Sequence, residues 1–283
     1  MKWTPGSREN IEDRRGQGGF GGGGMRGGPM GIGVVVVLLV LTLLTGKNFL
    51  SLIDPGAMTD GGESAPTSAG PVEATPEEEK LVDFMNFVLK DNQQTWSQLL
   101  GGQYQSTTLV LFRQATRTAC GFGQSASGPF YCPGDGKVYL DLSFFDELHR
   151  RFGAPGDFAQ AYVVAHEVGH HIQNVMGLER RVRQAQQQRP DTAKDLSVRM
   201  ELQADCFAGV WGHSAAQRGH LDLDDVDEGL RAAASIGDDR IQRQSGGTVN
   251  PESFTHGSSA QRVEWFRRGL QAGSPDQCDT FGR

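Results

Sequence analysis

Apolar positions along this chain follow three patterns, and each predicts a different kind of element. Between residues 158 and 176 they recur at Phe158, Tyr162, Ala165, Gly169, Ile172 and Met176, the spacing of a helix that buries one face. Asp157 after Pro155-Gly156 is placed as its N-cap and Gly177 as the stop just beyond it. A second periodic segment, Thr192 to Gln217, carries Leu202, Ala204, Cys206, Phe207, Ala208, Val210 and Trp211, and an earlier helix presents Leu81, Phe84, Met85 and Val88 on one face. Alternation with period two marks a strand over Lys137–Phe144, and the β-branched, aliphatic run Thr107–Phe112 predicts another. The third pattern has no alternation. From Gly27 through Gly46 there is no charged residue and Val34–Leu41 is unbroken aliphatic, close to the roughly 20 residues that cross a bilayer.

These patterns divide the chain into a glycine-rich tail (1–28), a transmembrane helix (29–50), an acidic, proline-rich flexible linker (51–79) and a folded domain (80–283). Lys2, Arg8, Arg14, Arg15 and Arg26 precede the apolar run, whereas Lys47 alone follows it before Lys80. By the positive-inside rule the tail is cytoplasmic and the domain is extracytoplasmic, on a single-pass anchor in the cell membrane. No A-x-A cleavage site follows the run, which argues for an anchor that is retained. A net charge of −7, with no basic groove interleaved with aromatics, excludes nucleic acid as a partner. Cys120, Cys132, Cys206 and Cys278 make an even count in a domain expected to face an oxidising space. Three connectivities are open. Pairing Cys120 with Cys132 would close a short glycine-rich loop, and Cys206 with Cys278 would then tie the C-terminal segment to the Thr192–Gln217 helix.

The candidate chemistry lies on the predicted helix around residue 166. His166-Glu167-Val168-Gly169-His170 has the H-E-x-x-H spacing that binds zinc, because residues four apart on a helix sit one above the other. Glu167 is rotated by about 100° from His166, which leaves it beside a metal as a general base. A zinc site needs a third protein ligand and an open position for water. Glu201 fills that role, and Asp205, one turn further along the second helix, is placed to accept the other N–H of a ligating histidine. A carboxylate pair in so apolar a helix calls for a cation. His171 points away from the pair and reads as structural, as do His149, His213 and His220.

H-E-x-x-H followed by E-x-x-x-D on a second helix resembles the gluzincin metallopeptidases. The segments RENIEDRRG (8–16), CGFGQSASGPFYCPGDGKVYLDLSFF (120–145), AYVVAHEVGHHIQ (161–173), ELQADCFAGVW (201–211) and THGSSAQRVEWFRRG (255–269) are similar to the bacterial membrane-anchored neutral zinc metallopeptidases. The resemblance implies an α+β domain built on an active-site helix pair with a small sheet, Zn2+ as cofactor, a protein or peptide substrate, and a location in the bacterial inner membrane. His256 and Arg262 resemble a histidine and arginine that polarise the scissile carbonyl in related membrane metallopeptidases, although those carry a proline where this chain has Gly257. In gluzincins a strand before the active-site helix pairs with extended substrate, which would assign that task to Val138–Asp141. The expected function is therefore zinc-dependent peptide hydrolysis. A non-catalytic envelope protein with a structural zinc is the alternative, and the intact Glu167 weighs against it.

Overall fold

A computed structural model describes residues 1–17, 72–246 and 248–282. The expected transmembrane helix (29–50), the tail from residue 18 to 28 and the linker as far as residue 71 lie outside the described residues. Among those described, no helix is long and apolar enough to cross a membrane.

The first helix, α1 (Pro76–Leu100), starts four residues before the expected domain boundary. Its first turn explains why. Thr75 caps it by accepting from the Glu78 amide, Pro76 occupies the first turn, where its missing N–H costs nothing, and Glu77, Glu78 and Glu79 suit the positive end of the helix dipole. Strands β2 (Thr108–Phe112), β5 (Phe130–Cys132) and β6 (Lys137–Asp141) follow, with a small hairpin of β3 (Ala115–Thr118) and β4 (Gly121–Gln124) between them. Then come α2 (Phe144–Arg150), α3 (Asp157–Val175), α4 (Leu178–Gln188), α5 (Ala193–Gln217), α6 (Leu223–Ser235), α7 (Asp238–Gln244) and α8 (Ser259–Ala272). The architecture is α+β, as expected.

The main sheet runs in the order β1-β2-β6-β5, and its first strand, β1 (Ile11–Asp13), comes from the segment expected to be a separate tail. Residues 1–17 belong to the same compact unit as the domain, and β1 lies parallel to β2 with Ile11 opposite Leu109. The tail boundary at residue 28 is therefore incorrect for this stretch. Its short strand carries only one strongly apolar residue, Ile11, too little for a periodicity to register.

Alternation sorts the strand side chains. Leu109, Leu111, Val138 and Leu140 pack against the helices in the main core, whereas Val110, Phe112 and Tyr139 join Cys132 and Phe130 in a smaller cluster on the opposite face. β6 is paired on both sides, with β2 and with β5. Val138–Asp141 therefore cannot accept a substrate strand, contrary to expectation; the edge belongs to β5. The cysteines join as Cys120–Cys132 and Cys206–Cys278.

Two close helix crossings set the geometry of the domain. A Cβ on Gly169 of α3 would stand 2.9 Å from the Ala204 carbonyl of α5, so the two backbones touch there. On the other side of α5, a Cβ on Gly269 of α8 would come within 1.9 Å of the Cys206 carbonyl oxygen. α5 is thus held between α3 and α8 at near-backbone contact, and Phe158, Tyr162, Phe207, Trp211 and Phe266 fill the space around the crossings.

Candidate metal centre

The Gly169–Ala204 crossing brings one turn of α3 against one turn of α5, so four of the residues singled out in the sequence meet. His166 Nε2 lies 3.2 Å from Glu201 Oε2, and His170 Nε2 lies 3.5 Å from Glu201 Oε1. Ligand atoms from His166, His170 and Glu201 all fall within 4.8 Å of one another. On the far side of the first imidazole, Nδ1 is 2.9 Å from Asp205 Oδ1, so the Nδ1 proton is directed to the carboxylate and Nε2 faces the centre. His170 is oriented likewise, by a neutral partner: Nδ1 sits 2.9 Å from Gln173 Oε1, and the Gln173 amide is itself fixed by donating to the Met200 carbonyl at 2.7 Å. Two imidazoles and one carboxylate with their outer nitrogens tied back form a donor set that fits zinc.

The centre is strongly polarised. Burial lowers the His166 pKa, but the charge and hydrogen bond of Asp205, with the bond from Glu201, outweigh it and raise the group to about 10. Burial raises Glu201, yet the charges of His170, His166 and Arg262 leave it well below the usual carboxylate range. Cation and carboxylate thus stabilise each other inside an apolar wall. A metal held by these residues would take the place of the proton on His166 Nε2.

Arg262 stands at the wall of the cleft, engaged by a carboxylate. Its guanidinium is buried and grips Asp205 with both arms, Nε to Oδ2 at 2.8 Å and Nη2 to Oδ1 at 2.9 Å. The Tyr162 hydroxyl donates to the same carboxylate and accepts from Arg262 Nη2 at 3.3 Å. Asp205, with no exposed surface, therefore holds Arg262, Tyr162 and His166 together. His256 behaves differently. Its half-exposed ring lines the cleft, with Nδ1 3.1 Å from Asp238 Oδ1, and that bond raises its pKa against the effect of burial. Glu167 also lines this cleft, which has a volume of about 660 Å³ and includes Phe130 and Tyr131 of β5 in its wall.

Tyr162 and Gln173 went unrecognised in the sequence. Each is a helical neighbour of a ligand, Tyr162 four residues before His166 and Gln173 three after His170, and that spacing was the available signal. His171 is structural as expected, with Nε2 2.6 Å from the Gln105 carbonyl and Nδ1 3.1 Å from the Tyr131 hydroxyl. A second acidic group, Asp157, Asp225 and Glu228, also draws its ligand atoms together, but the Met1 ammonium sits on Asp157 and Asp225.

A family model described as "Putative neutral zinc metallopeptidase" matches residues 1–281. The chain belongs to this family. It is 50% identical over 292 residues to the uncharacterized protein YpfJ of Escherichia coli (strain K12), covering 100% of this chain and 99% of the relative. It is also 46% identical over 197 residues to the uncharacterized protein Rv2575 of Mycobacterium tuberculosis (strain ATCC 25618 / H37Rv), covering 66% of each. No solved structure matches. The family match runs through β1 as well as through the two metal-centre helices, so the N-terminal strand falls within the family's extent.

Proposed function

We propose that the protein is a zinc-dependent peptidase that cleaves extended polypeptide outside the cytoplasm. The observation that carries this reading is the convergence of His166, His170 and Glu201 on the wall of a cleft that Glu167 also lines. Zinc bound there would supply a Lewis acid for the scissile carbonyl and acidify a water.

The chain's own residues supply the rest. Glu167 takes the proton from the attacking water and delivers it to the departing amine nitrogen. His256, its ring held through Nδ1 by Asp238, donates to the oxygen that becomes negative as the carbonyl turns tetrahedral. Arg262 and Tyr162 act one layer further out, fixing Asp205 and through it the His166 ring. β5 pairs with β6 on one side only among the described residues, so its other edge is placed to hold a substrate backbone as an added strand beside Phe130 and Tyr131. An unfolded or extended segment satisfies that edge; a folded surface does not. Cys120–Cys132 and Cys206–Cys278 support an extracytoplasmic site of action, since disulfides persist in oxidising compartments.

The test is cleavage of unfolded casein or a peptide library by the purified full chain, with chelator and zinc add-back. Glu167→Gln should keep its zinc and lose turnover by on the order of 10² to 10⁴. Alanine at His166, His170 or Glu201 should lose the zinc itself. Cleavage that survives both the chelator and Glu167→Gln would refute the reading, and stoichiometric zinc without cleavage of any substrate would favour a metal-stabilised binding protein.

A further inference from the structure

We propose that residues 1–17, ahead of the apolar run Gly27–Gly46, and the metal-centre domain after it lie on the same side of the membrane. A single crossing leaves the two flanks of a span in different compartments. Here the flanks meet. The Leu109 amide donates to the Asn10 carbonyl at 2.9 Å and the Arg14 amide to the Leu111 carbonyl at 2.7 Å, which continues the sheet into β1. Trp3 lies with its ring centroid 5.3 Å from that of Phe84, and Asn86 of α1 donates to the Ser7 carbonyl at 3.0 Å. The Arg15 side chain, 1% exposed, reaches Glu78 at 3.0 Å and Glu79 at 2.6 Å. The guanidinium is buried between Asp13 of the arm and these two glutamates of α1, a position that exists only when arm and domain are folded together.

The same contacts remove the ground for a cytoplasmic N-terminus. That orientation rested on the lysine and arginine ahead of the run, and most of these side chains have partners in the domain. Lys2 pairs with Asp222, Arg8 with Glu79 and Asp83, and Arg15 with Glu78 and Glu79. Arg14 is held by Glu12 of the arm itself and by the Arg117 carbonyl. Their placement has a folding cause, so it no longer reports which way the chain is inserted. The arm instead completes the sheet at its β2 edge.

The four native cysteines are all oxidised, so new thiols can be read against a clean background in the full-length protein in intact cells. Glu9→Cys samples the arm and Arg189→Cys the domain, both at exposed positions. A membrane-impermeant maleimide should label both or neither before the envelope is breached. Labelling of one alone would overturn the proposal. Independently, Glu12→Cys with Val110→Cys joins register partners of β1 and β2, and oxidation should give an intramolecular bond seen as a mobility shift on a non-reducing gel. A bond that forms only between two chains would overturn the pairing within one chain.

Discussion

Replacing Arg262 with methionine separates two roles that the sequence could not distinguish. If the guanidinium stabilised an oxyanion, its loss would lower turnover by on the order of 10² to 10³ and leave folding and zinc binding unchanged. The structure predicts another outcome. Arg262 is bonded through two nitrogens to Asp205, whose carboxylate has no exposed surface, so Arg262→Met leaves a buried negative charge facing only His166 and Tyr162. Breaking a buried pair from one side costs about 3–5 kcal/mol, which for a domain of this size lowers the melting temperature by roughly 6–20 °C. Because Asp205 also orients His166 through the 2.9 Å bond to Nδ1, zinc affinity should fall by on the order of 10- to 100-fold. Thermal melts with and without chelator, a zinc titration, and turnover at saturating zinc read these effects apart. Asp205→Asn should behave alike, and Asp205→Asn/Arg262→Met should lose less than the sum, with a coupling of about 0.5–3 kcal/mol. An Arg262→Met protein that melts and binds zinc like wild type, yet turns over a hundredfold more slowly, would refute the positioning role.

The remaining predictions concern the scaffold. Replacing Cys206 and Cys278 with serine releases a loop of 72 residues and should cost about 4 kcal/mol in denaturant unfolding; no change in midpoint would show that the bond does not form. Gly269→Ala places a methyl 1.9 Å from the Cys206 carbonyl oxygen, which exceeds what side-chain repacking absorbs, and soluble protein with an unchanged melt would contradict the α5–α8 contact. Acid should release the N-terminal arm before the core. Burial raises Asp13, but its bonds to Arg15 outweigh that and lower it; Glu79 is lowered by Arg8 and Arg15. Folded values below unfolded ones mean stability that is present above about pH 4 and lost as pH falls through the lower folded values. Hydrogen exchange at Ile11–Asp13 should therefore quicken relative to α3 between neutral pH and about pH 3, once intrinsic rates are corrected. Uniform exchange across both segments would count against the ion pairs.

The active-site helix, the Glu201 helix and two of the strands were legible because each carries a long periodic pattern, and their boundaries fell within a residue or two except at the C-terminal end of the second strand. That strand was expected to continue to Phe144 but stops at Asp141, where the carboxylate turns back to accept from the Ser143 amide and α2 begins. His166 with His170, and Glu201 with Asp205, were legible as candidates because helical spacing aligns each pair; the Gly169–Ala204 crossing that joins the pairs was not. The pairing of β6 and the grip of Asp205 on Arg262 went unseen for one reason: whether a group is free to meet substrate depends on its neighbours from other elements. Asp205 occupies the arginine and β5 covers the strand, facts of tertiary pairing that no local window contains. β1 escaped notice because three residues next to a glycine tract carry almost no signal without β2 beside them.

The order in which the centre is assembled also follows from these contacts. His166, Glu167 and His170 leave the ribosome before Glu201 and Asp205, and the groups that secure Asp205 and its helix, Arg262 and Cys278, come later still. A partly synthesised chain can therefore display the H-E-x-x-H helix while its acidic counterpart is neither charge-balanced nor stapled. If the chain is the peptidase proposed above, its hydrolytic competence arises only after Arg262 and Cys278 have been added.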